Sequence, residues 1–149
     1  MFDRQRAYRQ ITRGILGEYN TMKNQLIILP ERIETENARL TAIRSSSAES
    51  TPVSGSGTNS RQERDIAIIA ERDRLKLRLK EIKMEVSCIE KALACLDEME
   101  RRTVELIDIQ RQKRAIDRLC VEFGYEKTKV YQIHDSALDK FSMLYSGGK

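Results

Sequence analysis

The sequence predicts an all-α protein, and three observations carry that prediction. Charged residues make up 34% of the 149 and aromatic residues only 5%, with no Trp and two Pro, a balance suited to long amphipathic helices rather than a β-sandwich or an α/β core. Two long stretches space their apolar residues in steps of three and four, which is the mark of a heptad seam. A shorter stretch near the C-terminus, "LCVEFGYEKTKVYQI" from Leu119 to Ile133, stops at one glycine and restarts at once as a second amphipathic run. The expected architecture is a long antiparallel helical hairpin (coiled coil) over residues 1–96 and a three-helix unit over residues 97–146.

In the first seam the apolar positions are Ile15, Tyr19, Met22, Leu26, Leu29, Ile33, Leu40 and Ile43, with Glu36 as the one polar occupant. Pro30 lies inside it; the loss of one backbone donor should kink the helix without ending it, because the heptad phase continues beyond. Composition then shifts at "SSSAESTPVSGSGTNS", Ser45 to Ser60, where Ser, Thr, Gly and Pro predict a flexible tip at 45–60.

The second seam holds Ile68, Leu75, Leu79, Ile82, Val86, Ile89, Leu93 and Leu96, with Arg72 as its polar occupant. "LKLRLK", Leu75 to Lys80, alternates like a strand, but the longer helical period on both sides overrides it. If the chain folds back on itself, partners should have a constant sum. Ile15 with Leu93, Tyr19 with Ile89, Met22 with Val86, Leu26 with Ile82, Leu29 with Leu79, Ile33 with Leu75 and Leu40 with Ile68 all add to about 108. The same register sets Glu36 opposite Arg72, two polar intrusions of opposite sign. Off-seam Ile27, Ile28, Ile66, Ile69 and Leu77 suggest a further apolar surface on the hairpin, for a partner or for the chain's own C-terminal part.

Asp97 opens the C-terminal unit as a helix cap, and Glu100 is spaced to reach back and complete a capping box. An amphipathic run from Glu98 to about Ile109 leads into the polar, basic connection "QRQKR", Gln110 to Arg114. In the next helix Ile116, Leu119, Cys120 and Phe123 share one face. Gly124 ends it where positive φ is required, a conformation that glycine adopts at least cost. A last helix starts near Glu126, and Val130, Ile133, Ala137, Leu138 and Phe141 are spaced to cover the preceding face. Two helices joined in this way form a helix-turn-helix, whose second helix presents its first turn to a major groove.

This pattern, from Ile116, Leu119, Cys120, Phe123, Gly124 and Tyr125 to Val130, Tyr131 and "ALDKF", resembles region 4 of bacterial sigma-70 factors. The whole layout is similar to the small phage and prophage regulators of the ArpU/RinA-like group, which switch on late genes for packaging and lysis. Cys120 stands where such modules usually carry Ala, and Glu126 where they usually carry a Ser or Thr cap. The resemblance implies a sequence-specific DNA-binding transcription regulator acting on double-stranded DNA, with Lys127, Thr128, Tyr131 and Gln132 on the reading face. Thr128 and Gln132 are best suited to base edges; Lys129, Arg111, Lys113 and Arg114 are the expected phosphate contacts. Tyr125 is assigned to packing in the turn. His134, expected at the edge of the reading face, is given no chemistry.

Charge supports this reading only in part. The chain is net +4, yet residues 97–149 hold ten Lys and Arg against ten Asp and Glu, so a single module would bind weakly. Homo-oligomerisation, or recruitment alongside RNA polymerase, would supply the missing affinity through effective concentration. Cys88, Cys95 and Cys120 lack disulfide or zinc-ligand spacing, so no metal and no cofactor is expected and a reducing cytoplasm is the expected location. "MFDRQRAYRQITRGIL" does not read as a signal peptide, and no apolar run is long enough for a membrane span. No phosphate-cradling loop, no nucleophile with a base and no metal constellation points to an enzyme. The competing readings are a small terminase-like subunit for phage DNA packaging and a coiled-coil adaptor without DNA binding.

Overall fold

Residues 2–49 and 57–147 are described by the computed structural model, and among them every regular element is helical, with no strand. Helix α1 spans Phe2–Glu49, α2 Gly57–Ala94, α3 Glu98–Val104, α4 Ala115–Phe123 and α5 Lys127–Gly147, and a π-helical turn, Glu105–Ile109, follows α3 directly. Helix α1 continues through Pro30, as its unbroken apolar phase requires. None of the described helices is long and apolar enough to cross a membrane.

Part of the segment expected as a flexible tip at 45–60 is helical. Ser45–Glu49 belongs to α1 and Gly57–Ser60 to α2, while residues 50–56 lie outside the described residues. Extending an existing helix adds a hydrogen bond per residue without a new nucleus. Ser and Thr oppose that extension by only a few tenths of a kcal/mol each, on the order of 0.5.

The chain divides into two compact units, one of Met1–Lys23 with Met84–Lys149 and one of Asn24–Lys83. The Asn24–Lys83 unit buries Leu29, Ile33 and Leu40 of α1 and Ile68, Leu75 and Ile82 of α2, with Leu26 and Leu79 half-buried beside them. These are the seam positions. Ile27, Ile28, Ile66 and Leu77 are exposed, and Ile69 is half-buried.

The pairing expected between Glu36 and Arg72 does not form. Glu36 instead accepts from Arg39 Nη1 at 3.2 Å on its own helix, and Arg72 Nη1 donates to Asn37 Oδ1 at 3.4 Å. An i,i+3 partner needs no reach across helices, so it captures Glu36 at lower entropic cost. Register does not depend on that pair: each buried aliphatic side chain contributes roughly 1.5–3 kcal/mol, whereas an exposed ion pair contributes at most about 1 kcal/mol.

In the other unit, Asp97 caps α3. Its Oδ1 accepts from the Glu100 amide at 2.8 Å, and its own amide donates to Glu100 Oε2 at 3.2 Å. Arg101 then folds back onto the end of α2, donating to the carbonyls of Leu93, Ala94 and Leu96 at 3.2–3.4 Å. Leu93 O accepts also from Leu96 N at 3.2 Å; carbonyls at the end of a helix lack intrahelical partners, and a cation suits that end of the helix dipole. Two apolar clusters flank α3 and its π-helical turn. Val104 faces one, with Leu16, Ile89, Leu93, Leu96, Leu138 and Phe141; Leu106 faces the other, with Ala115, Leu119 and Val130. Phe141 and Tyr145 stack with centroids 5.7 Å apart, and Tyr145 Oη donates to Glu85.

Candidate nucleic-acid interface

The connection between α3 and α4 is held in shape by backbone conformation. Arg111 and Arg114 both have left-handed φ, 49° and 56°, an unusual state for residues with a Cβ. Gln112 N donates to Leu106 O at 3.0 Å, closing the end of the π-helical turn. Arg111 lies against α1 at Gly17, where a Cβ would stand 2.1 Å from the guanidinium Nη2. Glycine at that position therefore makes room for the arginine. Lys113 and Arg114 are exposed, and neither has an ion-pair partner among the described residues.

Helix α4 ends at Gly124, whose φ is 70° and whose amide donates to Cys120 O at 2.9 Å. The left-handed glycine expected from the sequence is present. Glu126 O accepts from Val130 N at 3.2 Å, so α5 is under way within three residues of the turn. Val130 is fully buried against Leu119 and Leu106, and this contact fixes which side of α5 faces away. Lys127, Thr128, Tyr131 and Gln132 are all exposed there, Tyr131 at 53%. Spacing of one, three and one residues sets these four on one helical face.

Lys127 Nζ is 3.4 Å from Asp117 Oδ1, a surface pair weak enough to exchange for another anion. Lys129 sits to the side, lining with Tyr125, Gln132, Ile133, Ser136 and Glu100 a groove of about 420 Å³. Tyr125, expected in turn packing, is 41% exposed and forms part of that groove wall.

No protein-family model, curated protein or solved structure matches this chain.

His134 departs from expectation. It is buried, and Asp108 Oδ2 accepts from its Nε2 at 2.7 Å while Asp108 Oδ1 accepts from Arg13 Nε at 2.8 Å. Asp108 itself is only 2% exposed. A carboxylate so enclosed needs both bonds, because an unpaired buried charge would cost several kcal/mol, roughly 3–5. The clue in the sequence is spacing: position 134 falls on the inward stripe of 130, 137, 138, 141 and 145, although its side chain is polar.

Sequence reasoning also missed Arg9. Its Nε and Nη2 donate to the two Asp139 oxygens at 2.8 and 2.7 Å, and its Nη1 lies 3.2 Å from Asp135 Oδ2. The hydrogen bond from Arg9, opposed in part by burial, holds the Asp139 carboxyl below the usual carboxylate range. No local pattern links position 9 to position 139, so this contact has no signal in the sequence.

Proposed function

We propose that the protein is a DNA-binding transcription regulator, with α4 and α5 as a helix-turn-helix and the first two turns of α5 as the reading helix. The observation that carries the reading is the outward quartet Lys127, Thr128, Tyr131 and Gln132, on a helix whose opposite side is fastened by buried Val130, Leu138 and Phe141. Polar side chains on the exposed face of a well-packed helix are what base-edge recognition needs. Lys113 and Arg114 at the start of α4 supply phosphate contacts. The resemblance to sigma-70 region 4 and to ArpU/RinA-like regulators extends this to late phage or prophage promoters, with RNA polymerase or a second copy adding affinity.

The α1 and α2 segments are read as an antiparallel pair. Tyr19 Oη donates to Glu90 at 2.8 Å in one unit, and Arg72 reaches Asn37 in the other. Both contacts lie within one residue of the register derived from the apolar seams.

Selection of bound duplexes from a random pool tests the reading. Gln132→Ala is expected to change the selected sequence. Lys127→Ala is expected to weaken all duplexes alike and to reduce the salt slope by about 1. A chain that binds no duplex at low salt, or binds without salt dependence, would overturn it. That result would favour the adaptor reading, which the exposed Ile27, Ile28, Ile66 and Leu77 already support.

A further inference from the structure

The duplex-binding reading leaves α5 with an electrostatic conflict. One turn beyond Gln132 the same helix carries Asp135, and one turn further Asp139, both partly exposed. A bare Asp135 carboxylate would lie within a Debye length, about 8 Å at physiological salt, of a backbone approaching Gln132, with Asp139 one turn further along. Residues 97–149 offer no surplus to offset them, with ten basic residues against ten acidic.

The compensating charge comes from the other end of the chain. Arg9 holds Asp139 through two parallel bonds and stands 3.2 Å from Asp135, and Gln5 Nε2 adds a bond to Asp139 Oδ2 at 3.1 Å. A planar guanidinium fork matched to a carboxylate is the strongest such pairing available to side chains. Arg9 and Gln132 also line one groove, together with Asp135, Ser136 and Lys140. One helical turn after Arg9, Arg13 binds the buried Asp108 at 2.8 Å. Residues 2–13 bring four Arg and one Asp, which turns a balance of zero into +3. Arg4 and Arg6 among them are exposed and have no ion-pair partner among the described residues.

We propose that the first three turns of α1 are an integral part of the duplex-binding surface, with Arg9 neutralising Asp139 and offsetting part of the field of Asp135 so that phosphate can approach the face bearing Gln132. This rests on the duplex-binding reading above. It makes the reading surface a composite of both ends of the sequence, in which the C-terminal helices supply the shape and α1 supplies the charge. Arg9 is on this account a positioning and neutralising residue and does not itself read bases.

The test measures affinity of the full chain for a fluorescently labelled, mixed-sequence duplex at two salt concentrations. Arg9→Gln is expected to lose roughly five-fold at the lower salt, with a smaller loss at the higher one. Arg9→Lys keeps the charge without the fork and should stay near wild type. Adding Asp135→Asn to Arg9→Gln should recover most of the loss, and Asp135→Asn alone, which leaves the Arg9–Asp139 pair in place, should bind more tightly than wild type. A mere staple predicts otherwise: Arg9→Lys would fall as far as Arg9→Gln and Asp135→Asn would restore nothing, and that pattern overturns the proposal. So does unchanged or tighter binding by Arg9→Gln. Failure of the underlying reading is distinct, because wild type itself would then show no salt-dependent binding before any variant is made.

Discussion

His134 Nε2 lies 2.7 Å from Asp108 Oδ2, with both side chains buried, and this contact ties α5 to the π-helical turn after α3. Arg13 of α1 holds the other carboxylate oxygen, so three separate segments meet at one buried charge. Asp108→Ala is expected to cost about 1–3 kcal/mol, because it leaves the buried His134 donor unpaired while the half-exposed Arg13 turns to solvent. Asp108→Asn should cost less, since its carbonyl can still accept from Arg13 and the imidazole can take the tautomer with an unprotonated Nε2, which accepts from the new amide. Urea denaturation of both variants measures the difference; an alanine variant as stable as wild type would show that the contact contributes nothing.

Two glycines should respond in opposite ways to alanine. Gly124 has φ 70° with nothing near a new Cβ, so Gly124→Ala suffers backbone strain alone, on the order of 1 kcal/mol. Gly17 is helical, and its new Cβ meets only the mobile end of Arg111. Gly17→Ala therefore displaces that guanidinium while gaining helix propensity of roughly 0.5–1 kcal/mol. Thermal melts should show loss in the first and no loss in the second.

Tyr19 should make the alkaline limb of stability steeper. Burial, and then its bond to Glu90, push its hydroxyl up to about 12. A folded value above the unfolded one means that the contribution is complete below about pH 10 and is lost as pH rises towards the folded value. Tyr19→Phe should flatten the fall in melting temperature over that window. An identical slope in both proteins would contradict the assignment.

Asp139 works at the acid end. Its carboxyl is held low first by the Arg9 hydrogen bond, so its contribution is present above the unfolded value near pH 4 and fades as pH falls through the folded one. Asp139→Asn should reduce the loss of stability as pH falls below about 4. Acid titrations followed by circular dichroism read this directly, and an unchanged titration would exclude the pair as a contributor.

Much of the molecule was legible in short-range pattern. Every expected seam position among Ile15–Ile43 and Ile68–Leu96 is buried or half-buried, because a heptad period states which side of a helix avoids water regardless of what covers it. The Asp97–Glu100 box and the left-handed Gly124 were legible for the same reason, since cap and turn chemistry act within three or four residues. The helical ends at 45–49 and 57–60 were not, because composition records propensity and not the cooperativity of an adjoining helix.

The amino-acid order by itself determined the helical class, the inward faces and the sharp turn before α5, all of which follow from periods and local sterics. Only tertiary structure decided the partners of the polar groups. Glu36 took Arg39 in place of Arg72, His134 turned inward to Asp108, and Arg9 crossed to Asp139. A long charged side chain has several acceptors within reach, and which one wins depends on burial and geometry set by residues far away in the chain.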